Sequence, residues 1–238
     1  MDTFTLDGRE IAFRDGDTIM DAALAAGIYI PHLCHLPGYA PHGSCKLCTV
    51  TVNGRNAAAC TTRAAAGMAV ACDTPELNAS RCALTEMLFV EGNHTCPACE
   101  KSGDCRLQAL AYHVGMTRPR FAHLYPARDL DASHPDVMLD RNRCILCGLC
   151  VRASRDADGK DVFAIGGRGI RARLLVSAAS GRLADTTLAA SDRAVAVCPV
   201  GALLPKRRGY EVPIGQRTYD RRPIAEVCVA AARKGDDD

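Results

Sequence analysis

Cysteine spacing constrains this 238-residue chain more than any other feature. It has fourteen cysteines, and eleven of them fall into three groups. The first is Cys34, Cys45, Cys48 and Cys60, spaced C-x10-C-x2-C-x11-C. The second is Cys96, Cys99 and Cys105, with His94 two residues upstream, spaced H-x-C-x2-C-x5-C. The third is the C-x2-C-x2-C run Cys144, Cys147 and Cys150, with Cys198-Pro199 far downstream. The alpha carbons of a Cys-x-x-Cys pair lie at most about 10 to 11 Å apart, so both thiols reach one small site. The fold must therefore present close pairs on loops and return distant cysteines to them.

Disulfides and metals are the two chemistries that use cysteine this densely. Fourteen is even, so seven disulfides are conceivable, but that reading needs export. The start Met1-Asp2-Thr3-Phe4-Thr5 has neither the basic region nor the apolar stretch of an export signal. No apolar run of about 18 residues could span a bilayer, so no membrane span is expected. The expected setting is cytoplasmic, where thiols stay reduced and close-spaced cysteines serve metals. There, Asn93-His94-Thr95 matches the glycosylation pattern only literally. A net charge of +2 supplies no global field for nucleic acid or an anionic membrane. Lys206-Arg207-Arg208 and Arg221-Arg222 are local exceptions, each either a solvated face or a contact surface for a protein partner. Asp236-Asp237-Asp238 reads as a solvated tail. With no tryptophan and 5% aromatics the core is thin, so something besides side-chain packing must help hold the chain.

The organisation reads as α+β. Phe4 and Leu6, the Asp7-Gly8 turn, then Ile11 and Phe13 form a hairpin. A helix follows over Ile19 to Ala26, capped by Asp17 or Thr18 and stopped at Gly27. Cys48 to Val52, the Asn53-Gly54 turn and Asn56 to Cys60 make a second hairpin, so residues 1–78 suggest a β-grasp domain. Residues 81 to 91 look helical with Ser80 as cap, and Cys105 to Val114 also, giving a helical segment over 79–119. Residues 120 to 135 are loop-like, and a cysteine domain from about 136 to 205 leads into a Pro-, Gly- and Arg-containing extension, so 120–238 is the third domain.

Four ligands converging on one inorganic core is the requirement of an iron-sulfur cluster. The first set is close to the plant-type 2Fe-2S run, with Cys60 returned to the loop by its hairpin; Cys72 is the alternative fourth ligand. In the second set three thiolates are incomplete, and His94 supplies the fourth ligand for a 4Fe-4S cluster, with His113 or Cys82 as alternatives. In the third, two-cluster ferredoxins would place another cysteine where this chain has Ser154, and no second triplet exists. One 4Fe-4S cluster is therefore expected there, held by Cys144, Cys147, Cys150 and Cys198. Cys72, Cys82 and Cys228 remain as small buried hydrophobes.

Gly167-Arg168-Gly169-Ile170-Arg171-Ala172 matches a dinucleotide fingerprint literally. Such a fingerprint must open a helix after a strand, whereas Ile170 to Ser177 alternates like a strand itself. A zinc ribbon needs two Cys-x-x-Cys pairs about 15 to 20 residues apart, and 47 residues separate Cys48 from Cys96. No catalytic residue is therefore assigned, and no cofactor beyond the clusters.

The order of these sites resembles the N-terminal region of the large iron-sulfur subunit of respiratory complex I and that of iron-only hydrogenases. It is most similar to the diaphorase iron-sulfur subunit of soluble NAD-reducing nickel-iron hydrogenases. That preference rests on Gly92-Asn93-His94-Thr95-Cys96-Pro97-Ala98-Cys99-Glu100-Lys101-Ser102-Gly103 and on Cys198-Pro199-Val200-Gly201-Ala202 with Lys206-Arg207-Arg208-Gly209 and Pro213-Ile214-Gly215-Gln216-Arg217. An active-site cluster of the iron-only type would need further cysteines after Cys198. The resemblance implies a relay between a flavin- and NAD-binding diaphorase subunit and the hydrogenase small and large subunits. The alternative is the equivalent subunit of an NAD-dependent formate dehydrogenase or of a complex I-type NADH dehydrogenase module.

Overall fold

The computed structural model describes residues 1–234, and Asp236-Asp237-Asp238 lies outside the described residues. The chain divides into two compact units. One comprises residues 1–85, 110–117 and 222–234; the other comprises 86–109 and 118–221. Among the described residues no helix is long and apolar enough to cross a membrane.

The first unit opens with the expected hairpin, β1 (Asp2–Leu6) against β2 (Arg9–Phe13), in antiparallel register Phe4 to Ile11. Asp7 and Gly8 both have positive φ, 49° and 78°, which matches the turn to the right-handed strand twist. Helix α1 (Ile19–Ala25) starts at Thr18, whose side chain accepts from Asp21 N while the Asp21 carboxylate accepts from Thr18 N. This reciprocal capping box selects Thr18 over Asp17. Then β3 (Thr49–Val52) and β4 (Arg55–Ala58) form the second hairpin about Asn53-Gly54.

A fifth strand, β5 (Ala69–Ala71), pairs parallel with β1 and antiparallel with β3, giving the sheet order β2-β1-β5-β3-β4. Three residues without strong alternation gave no local sign of it. The core between sheet and helix contains Phe4, Leu6, Ile11, Ile19, Met20 and Val50. The C-terminal helix (Ile224–Lys234) packs beside α1, with Ile224 and Cys228 buried and Ala232 against the core. This helix lies in the Pro-, Gly- and Arg-containing extension, for which no helix is expected from the sequence, although Ile224, Cys228 and Ala232 recur every four residues, one face of a helix.

Helix α2 (Pro75–Val90) begins earlier than Ser80. Thr74 caps it by accepting from Leu77 N at 3.3 Å, and Pro75 at the first position brings its preset φ. Ser80 lies within the helix, exposed, donating back to Glu76 O at 2.9 Å. Helix α3 (Arg106–His113) lies close to its expected place.

In the second unit the further elements are β6 (Leu130–Asp131), β7 (Val137–Asp140), α4 (Leu149–Asp156), β8 (Phe163–Gly166), β9 (Arg173–Val176), α5 (Arg193–Ala196) and β10 (Leu203–Pro205). β10, β7 and β6 form an antiparallel sheet in that order, and β8 pairs with β9. β6 falls inside the stretch expected to be loop. Of Lys206-Arg207-Arg208, Lys206 is tied inward, whereas Arg207 and Arg208 stay exposed and make surface ion pairs. Lys206 donates to Ala132 O and His134 O at 2.6 Å, Arg207 pairs with Asp136 at 2.8 Å, and Arg208 approaches Glu211 at 3.9 Å.

Candidate metal centres

The β3–β4 hairpin brings Cys48 and Cys60 together. Ala59 N donates to Cys48 O at 3.0 Å, and the two Sγ atoms lie 3.4 Å apart. Cys34 and Cys45 approach to the same 3.4 Å. The loop between Cys45 and Cys48 turns at Lys46, with φ of 57°, whose carbonyl accepts from both Thr49 N and Thr49 Oγ1. Hydrogen bonds from Cys45 and Cys60 hold the Cys34 thiol well below its usual range, and the contact with Cys60 brings Cys48 to about 7. Cys45 and Cys60 are pushed far up, chiefly by those contacts with Cys34. Thiols this close cannot all ionise alone; a bound cation would take all four as thiolates.

Arg81, from α2, braces this site and was not singled out from the sequence. Its side chain is buried, with the residue 3% exposed. Nε donates to Leu47 O at 3.1 Å, Nη2 to Thr49 O at 2.8 Å, and Nη1 to Cys72 O at 2.7 Å and Asn78 Oδ1 at 2.9 Å. Nη2 also lies 3.4 Å from Cys72 Sγ, so that thiol faces the guanidinium while Cys60 faces Cys48. A lone helical arginine carries no signature that marks such a brace.

His94 follows α2, and a short 3-10 turn (Cys96–Ala98) and the start of α3 present Cys96, Cys99 and Cys105. All four border one cavity with Phe89 and Arg143. His94 Nε2 is buried and has no hydrogen-bond partner among the described residues, while the Leu88 backbone engages the ring. Burial lowers its pKa to about 4, so the imidazole is neutral, as a metal ligand must be. An orphaned ring nitrogen with its ring otherwise oriented by backbone is the arrangement that metal ligation completes. Burial also pushes Cys105 up to about 12 and raises Cys96. His113 instead packs edge-on to Tyr29, with ring centroids 5.1 Å apart.

This loop is held from outside by the segment after residue 209. Tyr210 Oη donates to Ala98 O at 2.8 Å, Arg217 Nη1 to Ser102 O at 3.0 Å, and Tyr219 N to Gly103 O at 2.9 Å.

Cys144, Cys147, Cys150 and Cys198 border a second, largely apolar cavity with Ile165 and Leu174. Positive φ at Leu146 (54°) and at Gly148 (67°), the N-cap of α4, winds the triplet round it. Cys198 arrives two residues after α5. Burial raises Cys144 to about 11 and Cys150 well above the usual thiol range. Ser154, which is fully buried, accepts from Val162 N at 2.9 Å and so does a backbone-fixing task. Among the described residues no group of three or more His, Cys, Asp or Glu side chains is arranged around a single metal ion. The second and third sets each border a cavity.

Gly167 to Ala172 joins β8 to β9 through a 3-10 turn (Gly169–Arg171) and opens no α-helix. Ile170, Arg171 and Ala172 line an open groove of about 420 Å³ beside Arg128, Arg141 and Cys144.

Three family models divide the chain between them. A 2Fe-2S iron-sulfur cluster binding domain matches residues 2–75, the NADH-ubiquinone oxidoreductase-G iron-sulfur binding region matches 81–120, and a 4Fe-4S single cluster domain matches 137–204. The gamma subunit of the NAD-reducing hydrogenase HoxS of Cupriavidus necator is 43% identical over 98% of this chain and 97% of its own length. The chain belongs to this hydrogenase gamma-subunit family. A solved relative agrees: a chain in the crystal structure of an NAD+-reducing [NiFe]-hydrogenase in the H2-reduced state is 57% identical, with a TM-score of 0.94, over 97% of this chain and 98% of that one. The mitochondrial 78 kDa subunit of NADH-ubiquinone oxidoreductase from Candida albicans is 33% identical over 85% of this chain, a match that spans 28% of that protein. Like its family, the chain is an iron-sulfur protein of α+β architecture.

Proposed function

We propose that this chain is the iron-sulfur electron relay between a nickel-iron hydrogenase module and a flavin- and NAD-binding diaphorase subunit. The observation that carries this reading is the match to the hydrogenase gamma subunit across almost the full length of both chains. The mitochondrial relative is less similar, 33% against 43% identical, and the complex I and formate dehydrogenase readings are not favoured.

In this proposal residues 1–78 carry a 2Fe-2S site at Cys34, Cys45, Cys48 and Cys60. Residues 79–119 carry a 4Fe-4S site at His94, Cys96, Cys99 and Cys105. Residues 120–238 carry a second at Cys144, Cys147, Cys150 and Cys198. Bound clusters supply one-electron chemistry and no group transfer. The chain's own residues orient the ligands, bury them and keep His94 neutral. The complex is assigned to the cytoplasm, with hydrogenase small and large subunits on one side and the flavoprotein on the other.

Stopped-flow absorbance tests it. The isolated chain, carrying its clusters, is expected to be bleached by dithionite but not by stoichiometric NADH, and adding the flavin-bearing partner should confer rapid bleaching by NADH. Bleaching by NADH alone would place a nucleotide site on this chain, with the loop at Gly167 and Gly169 as first suspect. No bleaching with the flavoprotein present would refute the relay.

A further inference from the structure

Arg143 immediately precedes Cys144, yet its side chain lines the other cavity, the one bordered by His94, Cys96, Cys99 and Cys105. Nη1 lies 3.6 Å from Cys99 Sγ and 2.6 Å from Glu100 Oε2, and Nε lies 2.9 Å from Asp140 Oδ2. The guanidinium side chain is 17% exposed and the Asp140 carboxylate 8%, so solvent screens the group only weakly. Gly201 makes the approach possible. A Cβ there would fall 2.9 Å from Cys99 Sγ and 3.2 Å from Arg143 Nη1, and the Gly201 carbonyl accepts from the same nitrogen at 3.4 Å. Nothing in the thiol pattern requires an arginine here, and the ligand geometry does not use it.

We infer that Arg143 tunes the reduction potential of the His94, Cys96, Cys99 and Cys105 site, by donating to the Cys99 sulfur and placing a fixed positive charge beside it. The inference rests on that ligand set. Adding one electron adds one negative charge, so a cation within hydrogen-bonding reach of a ligand sulfur favours the reduced state and raises the potential. His94 acts in the same sense, because a neutral imidazole replaces a fourth anionic thiolate. Glu100 and Asp140 oppose both: their carboxylates meet the same guanidinium and reduce how much of its charge the site feels. The outer ligands of the arginine thus set the strength of its effect.

The experiment is an EPR-monitored redox titration of the full cluster-bearing chain, following the reduced signal that His94→Ala removes. Arg143→Gln should lower the midpoint potential, shifting the oxidised-to-reduced ratio at fixed potential about tenfold, equivalent to 59 mV for one electron. Glu100→Gln leaves the guanidinium in place and removes a countercharge, so it should move the potential upward. Arg143→Lys keeps the charge and should remain above the Gln variant. Opposite shifts in Arg143→Gln and Glu100→Gln are not what simple loosening of the loop would produce. Unchanged potentials, or shifts of the same sign in both, would overturn the inference. If Arg143→Gln loses iron, the upward shift in Glu100→Gln decides, and its absence overturns the inference. A well-formed signal indifferent to these variants would refute the tuning role alone, whereas absence of any His94-dependent signal would refute the ligand set with it.

Discussion

Replacing Arg81 by Met tests what holds the first cysteine loop in place. The guanidinium serves the carbonyls of Leu47, Thr49 and Cys72 at 2.7 to 3.1 Å, and Leu47 and Cys72 are buried. Methionine fills much of the volume but donates nothing. An orphaned buried acceptor costs about 1–3 kcal/mol, so three would cost about 3–9 kcal/mol if none were rehydrated. Relief of the arginine's own burial cost and entry of water at Thr49, which is only half-buried, offset part of this. A net loss of about 3 kcal/mol is expected, a large share of the 5–15 kcal/mol typical of a domain. Urea unfolding of the metal-free chain, followed by far-UV circular dichroism, measures it. With a slope of about 1–3 kcal/mol per molar, the midpoint of the first unit's transition should fall by about 1–3 M. Arg81→Lys, which can reach one or two of the carbonyls, should fall between. A change below about 0.5 kcal/mol in Arg81→Met would refute the reasoning, because it would mean that the three carbonyls find equivalent partners without the guanidinium.

Three further outcomes are expected. Thr18→Ala removes one side of the capping box and should cost about 1 kcal/mol in the same unfolding assay, and Thr18→Ser should recover most of it. His94→Cys should retain iron but lower the potential of its site, since a thiolate stabilises the oxidised state more than imidazole does, and a redox titration identical to wild type would show that His94 is not a ligand. Chemical analysis should find about ten irons in the anaerobically purified chain and about six in Cys198→Ser, as one 2Fe-2S and two 4Fe-4S clusters become one of each; stoichiometric zinc in a colourless protein would refute the cluster assignment.

The proposed ligand sets could be read from the sequence because metal chemistry imposes local spacing on the chain. A Cys-x-x-Cys pair can share a site wherever the fold places it, and Ser154 in place of a cysteine is the reason for expecting one cluster in the third set. The hairpins were equally local: Asp7-Gly8 and Asn53-Gly54 require positive φ, and few residue pairs supply it so readily. The start of α2 was misread at Ser80 because its capping potential outweighed the less obvious pairing of Thr74 with Pro75, although both are local signals.

Other features depend on partners distant in sequence, and no window of the chain contains them. β5 is a strand because β1 and β3 leave a slot between them, and three residues of weak preference fill it. Arg81 is a brace only because carbonyls from residues 47, 49 and 72 converge on α2, and His94 Nε2 is an orphaned buried nitrogen only once its loop has closed. Arg143 reaches Cys99 across 44 residues through space that Gly201 leaves open. Sequence by itself determined which atoms are proposed to bind iron, since that reading follows from residue type and the spacing of close pairs. Tertiary structure alone decided which charges and hydrogen-bond donors surround those atoms, because electrostatic fields act through space and not along the chain.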